Sequence, residues 1–203
     1  MALHHAFQQN KFRGFIETVP AYASLAVFYD TAIIYKAYPV TTTAFDLVKN
    51  ITEQLVKNIH TAAIIKGNTI NIPVYYNGVD LETIATQHQL SVEEVIRIHA
   101  SKTYRVFMIG FLPGFAYMGK VDERIATPRH ATPRINVQAG SVGIADLQTG
   151  IYPLASPGGW QLIGQTPLKI FDQQKKEPCL FSAGDMVQFN SISKEAFNKL
   201  NEY

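Results

Sequence analysis

Apolar residues in the first third of the chain alternate between strand-like and helix-like patterns. Residues 24–29 form a short apolar run that is typical of a strand. In residues 41–58, apolar side chains recur at spacings of three and four, which predicts an amphipathic helix with a threonine N-cap. Residues 62–65 predict another short strand, and residues 1–13 predict only part of a helix. This order favours a small α/β unit of the split βαβ kind.

A second region begins with the alternating strand pattern of residues 69–76, which the turn-forming pair Asn77-Gly78 ends. We place a domain boundary just before this strand, which gives domains of residues 1–68 and 69–203. Two short helices are predicted next. Asp80 is the expected N-cap of the first helix, over residues 81–87. Ser91 and Glu94 have the capping-box spacing for the second helix.

From residue 104 onward the pattern is that of a β domain. Short apolar runs at residues 104–111, 141–145, 168–171 and 186–189 are separated by glycine and proline. Several short strands with turn signals between them predict a barrel or a sandwich. The long connections of this domain are expected to run through residues 110–164.

Composition and charge narrow the function classes. Hydrophobic residues make up 47% of the chain and charged residues 17%, as in an ordinary globular protein. A net charge of +2 without a basic run argues against nucleic acid or an anionic membrane as the main partner. No stretch has the ~20 apolar residues that span a bilayer, and residues 1–5 do not form a signal peptide. With a single cysteine, a cytoplasmic location is expected.

The segment from Gly110 to Gly164 is the strongest candidate for a functional site. It contains nine of the 13 glycines and five of the 10 prolines. Rigid loops that carry aromatic and arginine side chains can line a pocket for a small anionic ligand. Tight barrel turns around core aromatics explain the same composition. The aromatic residues of the segment are Phe111, Phe115, Tyr117, Tyr152 and Trp160.

Three smaller features sharpen this hypothesis, each with a structural alternative. Two Thr-Pro-Arg units place Arg129 and Arg134 on a stiffened loop, where they could clamp a carboxylate or phosphate or pair with nearby acids such as Asp122 and Glu123. Ser156 and the glycines after it could form an anion-binding nest or a plain turn. His99 follows Val95 and Ile96 at i+4 and i+3, so it faces inward, as either a core histidine or a catalytic one.

Other chemistry is not supported by the sequence. The chain has no phosphate-binding P-loop and no nucleophile elbow, and its histidines lack metal-ligand spacing. We therefore predict no metal site. The helix pair over residues 81–100 imitates a helix-turn-helix, but Glu93 and Glu94 at the start of the second helix would repel DNA phosphates.

Several linked motifs, in the correct order, closely resemble one family. The family is that of the 5-oxoprolinase B subunit, which includes the KipI sporulation-kinase inhibitor and allophanate hydrolase subunit 1. The resemblance covers roughly residues 15–190. The segments that carry it are GFLPGFAY at 110–117, ATPR at 126–129, TPR at 132–134, AGSV at 139–142, QTGIYP at 148–153 and SPGGWQLIG at 156–164.

The resemblance implies an α+β protein with a small ferredoxin-like N-terminal domain and a cyclophilin-like β-barrel. The first strand of the ferredoxin-like domain is expected to be missing, so that this half is either three-stranded or completed by a partner. The resemblance also implies two companions, the 5-oxoprolinase A and C subunits, with which the chain would hydrolyse 5-oxoproline to glutamate at the expense of ATP. The B and C subunits would activate the lactam by phosphorylation, and the A subunit would open the ring. ATP would be shared with the partner subunits.

Carried onto this chain, the resemblance and the loop composition give two sets of candidate residues. The catalytic candidates are His99, Arg129 and Arg134. The substrate-binding candidates are Phe111, Pro113, Phe115, Tyr117, Ser156, Gly158, Gly159 and Trp160. Two alternative functions remain open: inhibition of a sensor histidine kinase, and the allophanate hydrolase reaction on the same scaffold.

Overall fold

The computed structural model describes residues 2–38, 43–59 and 67–202. It divides into two compact units, Met1–Lys66 and Gly67–Tyr203. None of the helices in these described ranges is long and apolar enough to cross a membrane.

The N-terminal unit contains three helices and a two-stranded antiparallel hairpin within its described residues. The predicted helix is present over Ala44–Asn58, and Thr43, the last of three consecutive threonines that could cap it, is its N-cap and forms a capping box with Asp46. The predicted strand at 62–65 lies outside the described residues, and a ferredoxin-like arrangement is not confirmed. The elements are α1 (Ala2–Gln9), β1 (Phe15–Pro20), β2 (Leu25–Tyr29), α2 (Thr31–Ala37) and α3 (Ala44–Asn58).

The C-terminal unit is built around a strongly curved sheet. Its elements are β3 (Thr69–Val74), α4 (Leu81–Gln87), α5 (Val92–Ala100), β4 (Thr103–Ile109), β5 (Ala116–Gly119), β6 (Arg134–Val137), β7 (Ser141–Ala145), β8 (Gln148–Ile151), β9 (Ser156–Gly158), β10 (Gln161–Gln165), β11 (Met186–Ser191) and α6 (Lys194–Asn201).

Seven of these strands form one sheet in the order β10-β7-β8-β5-β4-β11-β3. All neighbours are antiparallel except β11 and β3, which are parallel. Tyr75, just after β3, exchanges backbone hydrogen bonds of 2.9 and 2.8 Å with Gln165 at the end of β10. The two edges of the sheet therefore meet, and the sheet is a nearly closed barrel. A separate ribbon of β6 and β9 lies outside it.

The barrel core is filled by aliphatic and aromatic side chains from the strands and from α4 and α5. Leu81, Ile84 and Val95 bring the apolar faces of the two helices into this core. Ser91 and Glu94 form the predicted capping box of α5. Asp80 precedes α4 as predicted, but its side chain makes no cap hydrogen bond, because the carboxylate is bonded elsewhere, as described below.

One prediction for the β domain is wrong. Residues 168–171 are not a strand: they share only an isolated bridge, Phe171 to Cys179. Ile170 is nevertheless buried, so the apolar run reflected burial rather than strand pairing. Long connections do run through the glycine- and proline-rich segment as predicted, among them residues 120–133 between β5 and β6, but β5 to β9 and most of β10 also lie within it. These strands have three to five residues, too few for a clear alternating pattern.

Candidate functional site

A cluster of aromatic rings forms the floor of a pocket on the C-terminal unit. The ring of Phe115 lies edge-on to those of Tyr117, Tyr152 and Trp160, with centroid distances of 4.9, 5.3 and 5.3 Å. Edge-to-face contact is the favoured geometry for aromatic pairs and holds each ring in place. Phe115, Tyr152 and Trp160 are almost fully buried, so the floor is rigid and apolar.

Gly158 keeps this floor open. A Cβ atom at this position would overlap the Tyr152 hydroxyl. Any larger residue would therefore push β9 away from the tyrosine or push the tyrosine into the pocket. The requirement for glycine at 158 thus comes from the close approach of backbone to ring, not from backbone conformation.

The resulting pocket has a volume of about 300 Å³, which is at the lower end of the range for small-molecule sites. Six of the eight predicted substrate-binding residues line it. The full lining is Phe111, Phe115, Tyr117, Arg129, Pro133, Tyr152, Pro157, Gly158, Gly159 and Trp160. The predicted contact residues Pro113 and Ser156 do not line it. The Ser156 hydroxyl instead donates a hydrogen bond of 3.2 Å to the carbonyl of Pro157.

Arg129 is the cationic residue of the pocket lining. Its guanidinium carbon lies 6.0 Å from the centre of the Trp160 ring, a cation–π distance. Across the described residues, the structure gives this guanidinium no ion pair and no hydrogen bond. Its donors are therefore available to an anionic ligand.

The two pocket tyrosines are neutral at physiological pH. Burial raises the pKa of Tyr117 and of Tyr152, and the nearby charge of Arg129 opposes that rise in each case. Both phenols can therefore donate a hydrogen bond, and neither adds negative charge that would repel an anion.

Arg134 does not join Arg129 in this pocket. Its Nη2 donates a 2.6 Å hydrogen bond to Oδ1 of Asp80, and its Nη1 donates a 3.4 Å bond to the carbonyl of Trp160. The structure therefore does not form the predicted two-arginine clamp. The predicted alternative, pairing with an acid, applies to Arg134, but the acid is Asp80 rather than Asp122. Asp122 pairs instead with Arg124, at 3.0 Å.

His99 lies in the barrel core, apart from the pocket. It is fully buried between Tyr76 and Thr149. The Thr149 hydroxyl donates to the carbonyl of Gly143 at 3.0 Å, so its oxygen is free to accept the 2.9 Å hydrogen bond from Nε2–H of His99. The other ring nitrogen, Nδ1, then accepts the 2.8 Å bond from the Tyr76 hydroxyl.

These bonds make His99 a neutral histidine with both nitrogens occupied. Burial lowers the pKa of His99 to about 3. The structure thus confirms the inward orientation expected from helix spacing. A catalytic role for His99 stays a prediction, and its geometry suits a structural role.

A metal centre is not formed by the described residues. Within residues 2–38, 43–59 and 67–202, no three histidine, cysteine, aspartate or glutamate side chains converge to hold an ion.

Sequence reasoning missed four residues around the pocket. Tyr152, Pro133 and Pro157 line it, and Asp80 binds the arginine beside it. Tyr152 carried a usable signal, since it was one of five aromatics in the glycine-rich segment. Asp80 carried none, because an aspartate before a helix is ordinarily interpreted as an N-cap.

Comparison with known proteins agrees with this architecture. The family described as "Carboxyltransferase domain, subdomain C and D" matches residues 1–181. The chain is 46% identical over 199 residues to the 5-oxoprolinase B subunit of Bacillus subtilis, covering 96% of this chain and 83% of that protein. It is also 30% identical over 138 residues to urea amidolyase of Saccharomyces cerevisiae, which covers 62% of this chain and 7% of that protein.

Two solved structures are similar over nearly the whole chain. A conserved uncharacterized protein of Pyrococcus horikoshii has 44% identity and a TM-score of 0.63, with 96% of this chain and 87% of that chain covered. The crystal structure of TTHA0988 has 34% identity and a TM-score of 0.77, and this chain spans only 36% of its length. The chain belongs to the carboxyltransferase subdomain C and D family, in the branch that contains the 5-oxoprolinase B subunits.

Proposed function

We propose that this chain is the B subunit of an ATP-dependent 5-oxoprolinase and that its aromatic pocket forms one wall of the substrate site. The 46% identity over 96% of the chain to a 5-oxoprolinase B subunit carries the proposal. The chemistry of the pocket supports the same substrate class.

5-Oxoproline is a flat five-membered lactam with one carboxylate. A flat ring suits the buried faces and edges of Phe115, Tyr152 and Trp160. The carboxylate matches the unpaired guanidinium of Arg129 at the same pocket. A single cation for a single anion leaves no uncompensated charge in the occupied pocket.

The lactam carbonyl is a weak electrophile because its nitrogen donates electron density into it. Transfer of a phosphoryl group from ATP to the carbonyl oxygen, with ADP leaving, would make the carbon open to attack by water. The ring C–N bond would then break, the nitrogen would take a proton, and phosphate would be released. In this proposal, the backbone amides near Gly158 and Gly159 hold the substrate oxygens, and Arg129 holds the carboxylate. Arg134 supports the wall through its bond to the Trp160 carbonyl.

The pocket by itself does not fit ATP. A triphosphate with its magnesium ion needs several cationic or acidic groups, but the lining supplies one guanidinium and mostly apolar surface. We therefore derive no step through the nucleotide from this chain. We propose instead that ATP binds at a site that the C subunit completes and that the A subunit opens the ring. We also propose a ferredoxin-like fold for the N-terminal unit.

The test is reconstitution with the purified A and C subunits, measuring 5-oxoproline-dependent ATP hydrolysis and glutamate release. Activity should require all three chains. Full activity from the two partner subunits without this chain would refute the proposal. Allophanate offered in place of 5-oxoproline should give no turnover; turnover of allophanate alone would assign the chain to that hydrolase instead.

A further inference from the structure

Asp80 connects three segments of the C-terminal unit from a buried position. Its side chain is 6% exposed. Oδ1 accepts the 2.6 Å hydrogen bond from Arg134, and Oδ2 accepts a 2.6 Å bond from the backbone amide of Leu162. The amide of Asp80 itself donates to the carbonyl of Leu162 at 3.0 Å. The start of α4 is thereby fixed to β10 and to the Thr-Pro-Arg loop.

Both bonded partners lie next to Trp160. Leu162 follows it by two residues, and Arg134 reaches its carbonyl at 3.4 Å. Asp80 therefore restrains the backbone that carries the indole ring from two directions. This ring forms the pocket floor beneath Arg129.

The loop that carries Arg129 lies close to the same carboxylate and is bonded to the segment between β9 and β10. Nε2 of His130 lies 3.2 Å from Oδ1 of Asp80 but is not aligned for a hydrogen bond. The amide of His130 donates to the carbonyl of Gly159 at 2.7 Å. Arg129 thus sits beside a residue that is bound to one pocket wall and close to Asp80.

Only a carboxylate fits this position chemically. Both oxygens accept from donors, and one donor is a guanidinium, which has no acceptor. Asparagine would turn an NH₂ group toward one of these donors. The charge that would ordinarily cap α4 is used instead to hold the pocket wall.

We propose that Asp80 is a positioning residue that fixes Arg129 relative to Trp160 and thereby sets the affinity of the pocket for its anionic substrate. The substrate part of this inference rests on the proposed function. The positioning part concerns the chain alone.

Trp160 is the only tryptophan of the chain, so its fluorescence reports on the pocket. The first experiment measures acrylamide quenching of the isolated chain for Asp80→Asn, Arg134→Gln and the double variant. Each single variant should raise the quenching constant about threefold or more. The double variant should show an increase smaller than the sum of the two single increases, because both changes break the Asp80–Arg134 pair.

Glu82→Gln is the matched control, since Glu82 is exposed on the same helix and has no part in the linkage. It should quench like the wild type. Circular dichroism checks that each variant is folded. If Asp80→Asn does not fold, Arg134→Gln alone tests the same linkage. Unchanged quenching in the folded variants, or fully additive increases, would overturn the proposal.

The second experiment uses the assembled enzyme of three different chains. Asp80→Asn should raise KM for 5-oxoproline about tenfold while kcat falls less than threefold, as expected when ground-state and transition-state binding weaken together. The pH profile of kcat should not move. A lower kcat at unchanged KM would overturn a positioning role. Failure of the wild-type chain to support activity would refute the proposed function, while the quenching result would still decide the linkage.

Discussion

Two clusters of aromatic rings in the C-terminal unit each contact one side chain with hydrogen-bonding nitrogens, and the two side chains differ in whether those nitrogens are paired. His99 packs against Tyr104 and Phe189, with centroid distances of 5.3 and 4.6 Å, and both its ring nitrogens are hydrogen-bonded. Arg129 lies over Trp160 with its donors unpaired. The first cluster is internally satisfied and supports the fold. In the second cluster, the guanidinium donors of Arg129 are free to bind a ligand at the pocket.

Whether a polar side chain is already hydrogen-bonded within the protein indicates a structural or a binding role more clearly than its residue type does. A buried polar group must be satisfied within the protein, because leaving it unpaired costs about 1–3 kcal/mol. An exposed guanidinium can stay unpaired at little cost, because water solvates it. We therefore expect the hydrogen-bonded groups to control the free energy of unfolding and the unpaired guanidinium to control activity.

The largest effect is expected at Arg134, which belongs with the saturated groups. Arg134→Ala leaves the Asp80 carboxylate buried without its guanidinium, so stability should fall by about 3 kcal/mol or more. Urea denaturation measures this change. Arg124→Ala removes an exposed arginine that also has an acidic partner, and it should stay within about 0.5 kcal/mol of the wild type. Equal stabilities for the two variants would contradict the distinction.

The second prediction concerns pH and His99. The folded-state pKa of His99 is lowered to about 3, below the ordinary value of about 6.5 in the unfolded chain. At pH values between these two pKa values, the His99 side chain is protonated in the unfolded state and neutral in the folded state. The stability contribution is therefore complete above about pH 6.5 and declines below it, by up to about 1.4 kcal/mol per pH unit.

Urea denaturation at pH 7, 6 and 5 checks this dependence. Tyr76, Tyr104 and Thr149 face His99, and burial raises the pKa of both tyrosines, so none of these groups titrates in this range. His99→Gln should flatten the slope, whereas His5→Gln, at an exposed histidine, should not. Identical slopes for His99→Gln and the wild type would show that another group causes the loss.

The third prediction concerns the unpaired arginine. Arg129→Ala should lower kcat/KM of the assembled enzyme more than tenfold, equivalent to about 1.4 kcal/mol, because the substrate carboxylate loses its partner. Its unfolding free energy should change by no more than about 1 kcal/mol, because the exposed guanidinium makes no ion pair with the described residues and its contact with Trp160 is a weak cation–π contact. Arg124→Ala again serves as the control. Normal activity of the Arg129→Ala variant would show that the pocket does not bind the substrate carboxylate through this residue.

The smallest effect is expected at Thr149. Thr149→Ser keeps the hydroxyl that joins His99 to the Gly143 carbonyl and removes only one buried methyl group. Stability should fall by about 1 kcal/mol, as for other deletions of one buried methyl group. Thr149→Val should cost more, because it leaves the buried Nε2–H of His99 without an acceptor. A smaller loss for valine than for serine would show that the hydrogen bond is unimportant.

Local signals in the sequence predicted much of the fold. Thr43, Ser91 and the spacing of Val95 and His99 each act within one helical turn, so the residues that decide the outcome are neighbours in sequence. The same holds for the position of the pocket, since its aromatic, arginine and glycine residues cluster between Gly110 and Gly164. The family resemblance added the functional context that these signals lack.

The roles of individual polar residues depended on distant partners. His99 is bound by Tyr76 and Thr149, 23 and 50 positions away, and Arg134 by Asp80, 54 positions away. Arg129 and Arg134 stand in identical Thr-Pro-Arg units, so the local sequence does not show which of the two arginines pairs with an acid. Only the fold decides which arginine meets an acid. Propensity and periodicity do not carry such information.

The parallel pairing of β3 with β11 has a consequence for how the barrel forms. It joins the first and last strands of the unit, and the hydrogen bond from the amide of Asn68 to Asp185 links residues 117 positions apart. During synthesis, β3 leaves the ribosome long before its neighbour exists, so barrel closure must await nearly the whole unit. Contacts between residues so far apart in sequence slow folding. The fluorescence of Trp160 during stopped-flow refolding can measure this rate. The aromatic pocket is built on this unit, so its completion should likewise await nearly the whole unit.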